Sequence, residues 1–133
     1  MATQQISSAT SFKNPKLKAI HDVEIDKSGK FKYILIKVHD PDMDREFKYI
    51  VRGTSKAGFH ADIYEKVVGD MESKGLDCEV LGGGRIEHEP SKKSIKVYGY
   101  SQQYGAADHS ITQTLLLRKF KDYESITWSN EGY

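Results

Sequence analysis

A hydrophobic segment in the first third of the chain places the strongest constraint on the fold. In Phe31–Val38 the apolar side chains fall on both alternating faces of an extended chain, which is typical of a central strand that is covered on both sides. Phe47–Arg52 is predicted to return antiparallel to it, with the acidic segment Asp40–Asp44 as the loop between them. We therefore expect the chain to build its core around a sheet.

Two segments have helical patterns. The first begins near His60 and carries an apolar stripe at four-residue spacing, with Gly75 suited to end it. The residues of this stripe are Ile63, Val67 and Met71. The second runs from Asp108, a good N-cap, to Lys119.

Further short strands complete the prediction. They are Ile20–Ile25, Cys78–Leu81, Arg85–His88, Ser94–Tyr100 and Tyr123–Trp128. Gly82–Gly84 is expected to form a loop between two of these strands. The sequence thus predicts an α+β fold: a single mixed, mostly antiparallel sheet of about six strands packed with two α-helices.

Length and composition suit one domain of 133 residues. Residues 1–18 are rich in Ser, Thr, Gln and Lys, and we expect a disordered tail there and a folded domain over residues 19–133. The formal net charge of +1 argues against nucleic acid as a partner. We expect a monomer.

The chain shows no sign of a membrane or secretory protein. No apolar run approaches the roughly 18–20 residues that a membrane span requires, and the first residues lack the apolar core of a signal peptide. The single cysteine, Cys78, fits a reducing compartment. We therefore expect a cytoplasmic location and no membrane partner.

The segment from Arg52 to Tyr64 carries the clearest chemical signal. It reads as a strand end, a loop and then a helix whose first turn holds His60. The free amides and positive dipole of a helix N-terminus favour a bound anion and a neutral imidazole. A neutral imidazole beside an anion can act as a nucleophile or a general base.

Three other features suit an anion site, although each also has an ordinary structural interpretation. Arg85 follows the glycine loop and can donate to phosphate oxygens, or it can simply face solvent. Ser101 begins a loop with free amides, or an ordinary turn. Lys32 lies among apolar residues and needs a polar partner, unless its ammonium reaches solvent. Their convergence at predicted strand ends and loops favours one shared cleft.

No local pattern predicts a metal site or a cofactor. The five histidines lack the spacing of zinc hydrolases. Asp40, Asp42 and Asp44 alternate as in a calcium loop but lack the glycine and the distal glutamate of that motif.

Several motifs in this order resemble the protein-histidine phosphatase family, also called Janus/Ocnus. The motifs are Phe31-Lys32-Tyr33, Val51-Arg52-Gly53, His60-Ala61-Asp62-Ile63-Tyr64, Gly82-Gly83-Gly84-Arg85-Ile86, Val97-Tyr98-Gly99-Tyr100-Ser101 and the ending Trp128–Tyr133. The loop Thr54–Gly58 makes the chain look closer to the Janus-A branch, whose name refers to sex-regulated expression and so to sex differentiation.

The resemblance implies a metal-independent hydrolase, a protein phosphatase that acts on phosphohistidine in proteins. His60 matches the family's catalytic histidine and Lys32 its substrate-binding lysine. Further residues fall at family positions of the substrate site. They are Ala61, Ser101, Gln102, Gln103, Arg52 and Arg85, with His109 also at a family position.

Two other functions remain open at this stage. A non-catalytic module could bind phosphorylated or acidic segments and regulate a partner, and it would need the anion pocket but no neutral histidine. A signalling scaffold would need neither. Sequence also leaves open whether His60 attacks phosphorus or deprotonates water.

Overall fold

The structure is a computed structural model that describes residues 12–131, without the side chains of residues 44 and 45. The helices are α1 (Pro15–Lys18), α2 (His60–Ser73) and α3 (His109–Lys119), with a short 3-10 turn at Pro90–Lys92. The strands are β1 (Val23–Glu24), β2 (Gly29–Asp40), β3 (Met43–Thr54), β4 (Asp77–Glu89), β5 (Ser94–Tyr98) and β6 (Ser125–Trp128).

The six strands form one mixed sheet in the order β1-β3-β2-β4-β5-β6. Strand β2 is antiparallel to both of its neighbours, and β4 is antiparallel to β5. Only the short strands at the two edges pair in parallel, β1 with β3 and β6 with β5. The predicted α+β fold, with its mostly antiparallel sheet, is confirmed.

Both faces of β2 are buried, as the pattern in residues 31–38 predicts. Phe31, Tyr33 and Leu35 pack into a cluster with Leu115 and Leu116 of α3. Ile34, Ile36 and Val38 pack into a second cluster with the apolar stripe of α2. The two longer helices therefore cover opposite faces of the sheet, because side chains alternate along a strand.

The segment before β1 is more ordered than predicted. Within residues 12–18 of the predicted tail, Asn14 caps helix α1 and Leu17 is completely buried. Lys48 is also buried, and its ammonium lies 2.8 Å from Asp22 and donates to the carbonyls of Leu17 and Ile20. These contacts attach α1 to β3, so the tail boundary at residue 18 is wrong; residues 1–11 lie outside the described part of the chain.

Strand lengths differ from the prediction in both directions. The strand predicted at Ile20–Ile25 is reduced to two residues, and the last strand begins only at Ser125. Strands β2 and β3 extend to Asp40 and Met43, so the predicted loop Asp40–Asp44 is a tight turn at Pro41-Asp42. Long antiparallel pairing extends strands into polar residues that carry no strand pattern.

The predicted glycine loop is wrong, because Gly82–Gly84 lie inside the continuous strand β4. Opposite them, Leu35 pairs with Gly82 but Ile36 pairs with Val80, so Leu81 is the extra residue of a β-bulge. In the described residues, no helix has the length and apolar character needed to cross a membrane.

Candidate active site

Helix α2 begins at His60, with Phe59 as its N-cap. The carboxylate of Asp62 accepts from the amide of Phe59 at 3.0 Å, and the amide of Asp62 donates to the carbonyl of Phe59 at 3.1 Å. These two bonds fix the first turn. The amides of His60 and Ala61 have no acceptor within the helix, since first-turn N–H groups point beyond it.

The imidazole of His60 is buried against the sheet, with 6% of the residue exposed. Its Nε2 lies 3.0 Å from the carbonyl oxygen of Gly84. Because a carbonyl oxygen can only accept, Nε2 is the donor, and the neutral ring carries its lone pair on Nδ1. The ordinary interpretation of His60 as an exposed residue at a helix start is therefore wrong.

The pKa of His60 is lowered from its usual value of 6.5. Burial of the ring is the largest cause, since it disfavours the charged form. The bond to Gly84 opposes this effect, and the positive charges of Lys32 and Arg85 add to it. The sequence predicted the neutral ring from the helix dipole, whereas the structure provides burial and two neighbouring cations.

Lys32 and Arg85 are direct cross-strand partners on β2 and β4. Cross-strand partners project from the same face of a sheet, and Ile34 and Gly83, the next pair on that face, lie under α2 and the His60 ring. Both cations therefore lie on the face that carries His60, about 7 Å further along the strands. Lys32 is half-buried, as is Arg85.

The Ser101 loop, residues 101–105, closes beside the same strand. Ser101 is buried, its amide donates to the carbonyl of Gly105 at 3.0 Å, and its hydroxyl accepts from the amide of Tyr104 at 3.1 Å. Gly83 in turn donates to the carbonyl of Gly105 at 3.0 Å. The loop is thus bonded to the strand residue on which the His60 ring lies, with Gln102 and Gln103 exposed at its tip.

An aromatic contact also joins this loop to helix α2. The rings of Tyr104 and Tyr64 meet edge to face with centroids 5.9 Å apart. Tyr64 lies one turn after His60 on the same side of the helix. Loop, helix and strand therefore support one another around the imidazole.

Arg52 is not directed toward His60. Its guanidinium donates to the carbonyls of Val51 and His21 and lies 3.5 Å from the carboxylate of Glu24. His21 and Glu24 lie at or just before the edge strand β1, which is separated from β4 by β3 and β2. Arg52 lines a cavity of about 750 Å³ between α2, β1 and β3. Its contact with substrate stays a prediction.

His109 lies on the opposite face of the sheet from His60. Its Nε2 donates to the carbonyl of Gly99 at 2.8 Å, so its Nδ1 accepts from the hydroxyl of Tyr33 at 2.5 Å. Thr112 completes this buried network at 3.0 Å from the same hydroxyl. Both ring nitrogens are therefore occupied, and His109 supports Gly99 two residues before Ser101.

The site contains two groups that sequence reasoning did not identify. The carbonyl of Gly84 sets the tautomer of His60, and Gly83 forms the surface beneath the ring. The glycine triplet is a visible signal, but it predicts a loop rather than a strand that leaves room for the ring. Across the described part of the chain, no cluster of three or more His, Cys, Asp or Glu side chains could hold a metal ion.

Fold and site together define a small α+β protein with a neutral imidazole held beside two cations and a serine loop. The chain belongs to the Janus/Ocnus family, whose sequence model matches residues 17–124. It is 52% identical over 121 residues to the 14 kDa phosphohistidine phosphatase of Homo sapiens, covering 88% of this chain and 96% of that protein.

Janus-A proteins match to a similar extent. The sex-regulated protein janus-A of Drosophila pseudoobscura pseudoobscura is 52% identical over 114 residues, which is 84% of this chain and 76% of that protein. Janus-A of Drosophila melanogaster is 46% identical over 111 residues, covering 84% and 80%. The family resemblance of the motifs is thus confirmed, with the same identity to the human phosphatase and to one Janus-A protein.

Proposed function

We propose that this protein is a metal-independent phosphatase that hydrolyses phosphohistidine in proteins. The relatives that carry the name phosphohistidine phosphatase support the substrate class. The observation that carries the mechanism is the hydrogen bond from His60 Nε2 to the Gly84 carbonyl, because it leaves the lone pair of a neutral ring on Nδ1. We further propose a cytoplasmic monomer.

The phosphoryl group is bound by charge and by backbone amides. Lys32 and Arg85 neutralise its oxygens, and the first-turn amides of His60 and Ala61 add two donors at the positive end of the helix. The Ser101 hydroxyl accepts from Tyr104, so its own proton remains available to a phosphoryl oxygen. The exposed amides of the Ser101 loop, at Gln102 and Gln103, complete the cradle.

Once the phosphoryl group is bound, its transfer needs little covalent catalysis from the protein. The phosphorus–nitrogen bond breaks as the leaving imidazole of the substrate takes up a proton, so positioning and charge stabilisation supply most of the acceleration. Nδ1 of His60 either attacks phosphorus directly or takes a proton from the attacking water. Either route requires the neutral ring.

Hydrolysis of a phosphohistidine peptide in EDTA tests the function. Wild type should release phosphate, His60→Ala should lose turnover, and His39→Ala, which changes a histidine near the far end of β2, should behave as wild type. Turnover by His60→Ala would contradict the mechanism. Peptide binding without turnover by wild type would instead support a non-catalytic module that binds phosphorylated segments.

Rapid acid-free quenching distinguishes the two roles of His60. If the ring is a nucleophile, a labelled phosphoenzyme should accumulate, and its phosphate should be on Nδ1 because Nε2 is bonded to Gly84. No labelled enzyme, together with an inactive His60→Ala, would assign the ring as a general base. Phosphate on Nε2 would contradict the assigned tautomer.

A further inference from the structure

The β-bulge at Leu81 decides which glycine of β4 faces His60. Before the bulge, Cys78 and Val80 pack on the α2 face of the sheet. After it, Gly83 and Arg85 occupy that face, as their partners Ile34 and Lys32 show. One extra residue reverses the alternation of a strand, so the bulge brings Gly83 under the imidazole and Arg85 beside Lys32.

The His60 ring occupies the space that a side chain at Gly83 would fill. A Cβ atom built there would lie 2.8 Å from Cδ2 of His60 and 3.3 Å from its Nε2. It would also lie 2.8 Å from the carbonyl oxygen of Tyr33. Contacts below 3.0 Å are not tolerated without movement, and the imidazole is the group that can rotate away.

The next glycine, Gly84, leaves space for the His109 ring on the other face of the sheet. A Cβ atom at Gly84 would lie 2.7 Å from Cε1 of His109 and 2.5 Å from the carbonyl oxygen of Tyr98. The strand is therefore thinned on both sides at neighbouring residues, and the backbone carbonyl of Gly84 reaches Nε2 of His60 at 3.0 Å.

Gly83 also forms the backbone hydrogen bonds that attach the Ser101 loop to β4. Its amide donates to the carbonyl of Gly105, and its carbonyl accepts from the amide of Ala107, each at 3.0 Å. The backbone of Gly83 therefore fixes the Ser101 loop, and the absence of a side chain at Gly83 leaves room for the imidazole.

We propose that Gly83 is a positioning residue for the reaction: the slot left by its absent side chain holds the His60 ring against the Gly84 carbonyl. The part of this proposal that concerns turnover rests on the proposed phosphatase function. The part that concerns the ring does not, because its position and tautomer can be measured without substrate.

Nitrogen-15 NMR of His60 in Gly83→Ala tests the slot directly. Wild type should show a neutral ring protonated on Nε2, with a pKa below 6.5. In Gly83→Ala the added methyl group should displace the ring from its buried position, so the Nε2 proton should lose its hydrogen bond. The pKa should rise toward 6.5, because loss of burial, the largest cause of the lowered value, outweighs loss of the bond to Gly84. Gly69→Ala, where an added Cβ meets nothing within 4 Å, is the matched control and should leave both signals unchanged.

Kinetics give a second readout. A displacement of about 1 Å costs on the order of a hundredfold in rate, so kcat of Gly83→Ala should fall by about that factor while KM changes little. A wild-type NMR signature in Gly83→Ala would overturn the proposal. A normal ring with no turnover even in wild type would contradict the phosphatase function and leave the slot intact.

A double-mutant cycle separates the ring from the Tyr33 carbonyl, since both would meet the new methyl group. Gly83→Ala should lower Tm by several degrees in wild type and by clearly less in His60→Ala, where the ring is absent. If Gly83→Ala alone does not fold, the double variant should. An equal loss in both backgrounds would assign the glycine requirement to Tyr33 and overturn the proposal.

Discussion

His60 shows how one side chain can be kept reactive by its surroundings. Burial, a carbonyl acceptor and two nearby cations act on the same ring, and only the carbonyl favours the charged form. The net effect is a lowered pKa, so the ring is neutral at pH 7. Because Nε2 is engaged by Gly84, the same contact that fixes the orientation also selects Nδ1 as the reactive atom.

Removing the charge of Lys32 should change this balance. In Lys32→Gln the pKa of His60 should rise toward 6.5 but remain below it, because burial is the larger cause. Lys30→Gln is the matched control: this exposed lysine lies two residues earlier in β2, pairs with Glu87, and should leave the His60 pKa unchanged. NMR titration of both variants measures the shift, and equal shifts would contradict the specific role of Lys32.

Among the secondary-structure elements, the first turn of helix α2 contributes both to the stability of the fold and to the geometry of the active site. The Asp62 carboxylate holds the amide of Phe59 and lies at the positive end of the helix dipole. Phe59, whose amide is bound by this carboxylate, directly precedes His60. Loss of this cap should therefore loosen the first turn, where the imidazole and the two free amides lie.

Asp62→Ala should lower the free energy of unfolding by about 0.3–1 kcal/mol and also reduce turnover. Glu65→Ala changes an exposed acidic residue one turn later and should have a smaller effect on both. Urea unfolding and phosphate release measure the two quantities. Full activity in a destabilised Asp62→Ala would show that the cap supports the helix but not the site.

Strand β4 shows where sequence reasoning failed and why. Three successive glycines carry the signal of a loop, and a glycine triplet inside a strand is unfavourable unless neighbouring groups need the space. Those groups are the backbone of Ala106 and Ala107 at Gly82, His60 at Gly83 and His109 at Gly84. They are distant in sequence, so no local pattern could reveal them. The helices were easier to predict, because the apolar stripe of α2 and the Asp108 cap of α3 are local features.

At the scale of the whole molecule, the central strand explains most of the architecture. Apolar residues on both faces of β2 require a cover on each side, and α2 and α3 provide it. The sequence therefore predicted the fold and the proximity of Lys32 to His60. The partners of Arg52 and His109 could not be predicted, because the direction of a buried side chain depends on residues distant in sequence, such as Glu24 and Tyr33.

The short helix α1 is an integral part of the molecule. Leu17 is fully buried in the cluster beneath α2, so Leu17→Ala should lower the free energy of unfolding by about 2–5 kcal/mol. Leu117→Ala changes an exposed leucine of α3 and should have little effect. Chemical denaturation of the two variants measures the difference, and equal stabilities would contradict the packing of α1.

The dependence of kcat/KM on pH tests whether the neutral ring of His60 is the reactive group, because it reports the ionisation of essential groups in the free enzyme. A phosphohistidine peptide in EDTA is the substrate, with uncatalysed hydrolysis subtracted at each pH. A reactive neutral His60 predicts that on the acid side the rate falls as the pH drops through a pKa below 6.5, and that this value equals the pKa of His60 measured by NMR. A fall in rate centred above pH 6.5, or one that does not match the His60 titration, would contradict a reactive role for the neutral ring.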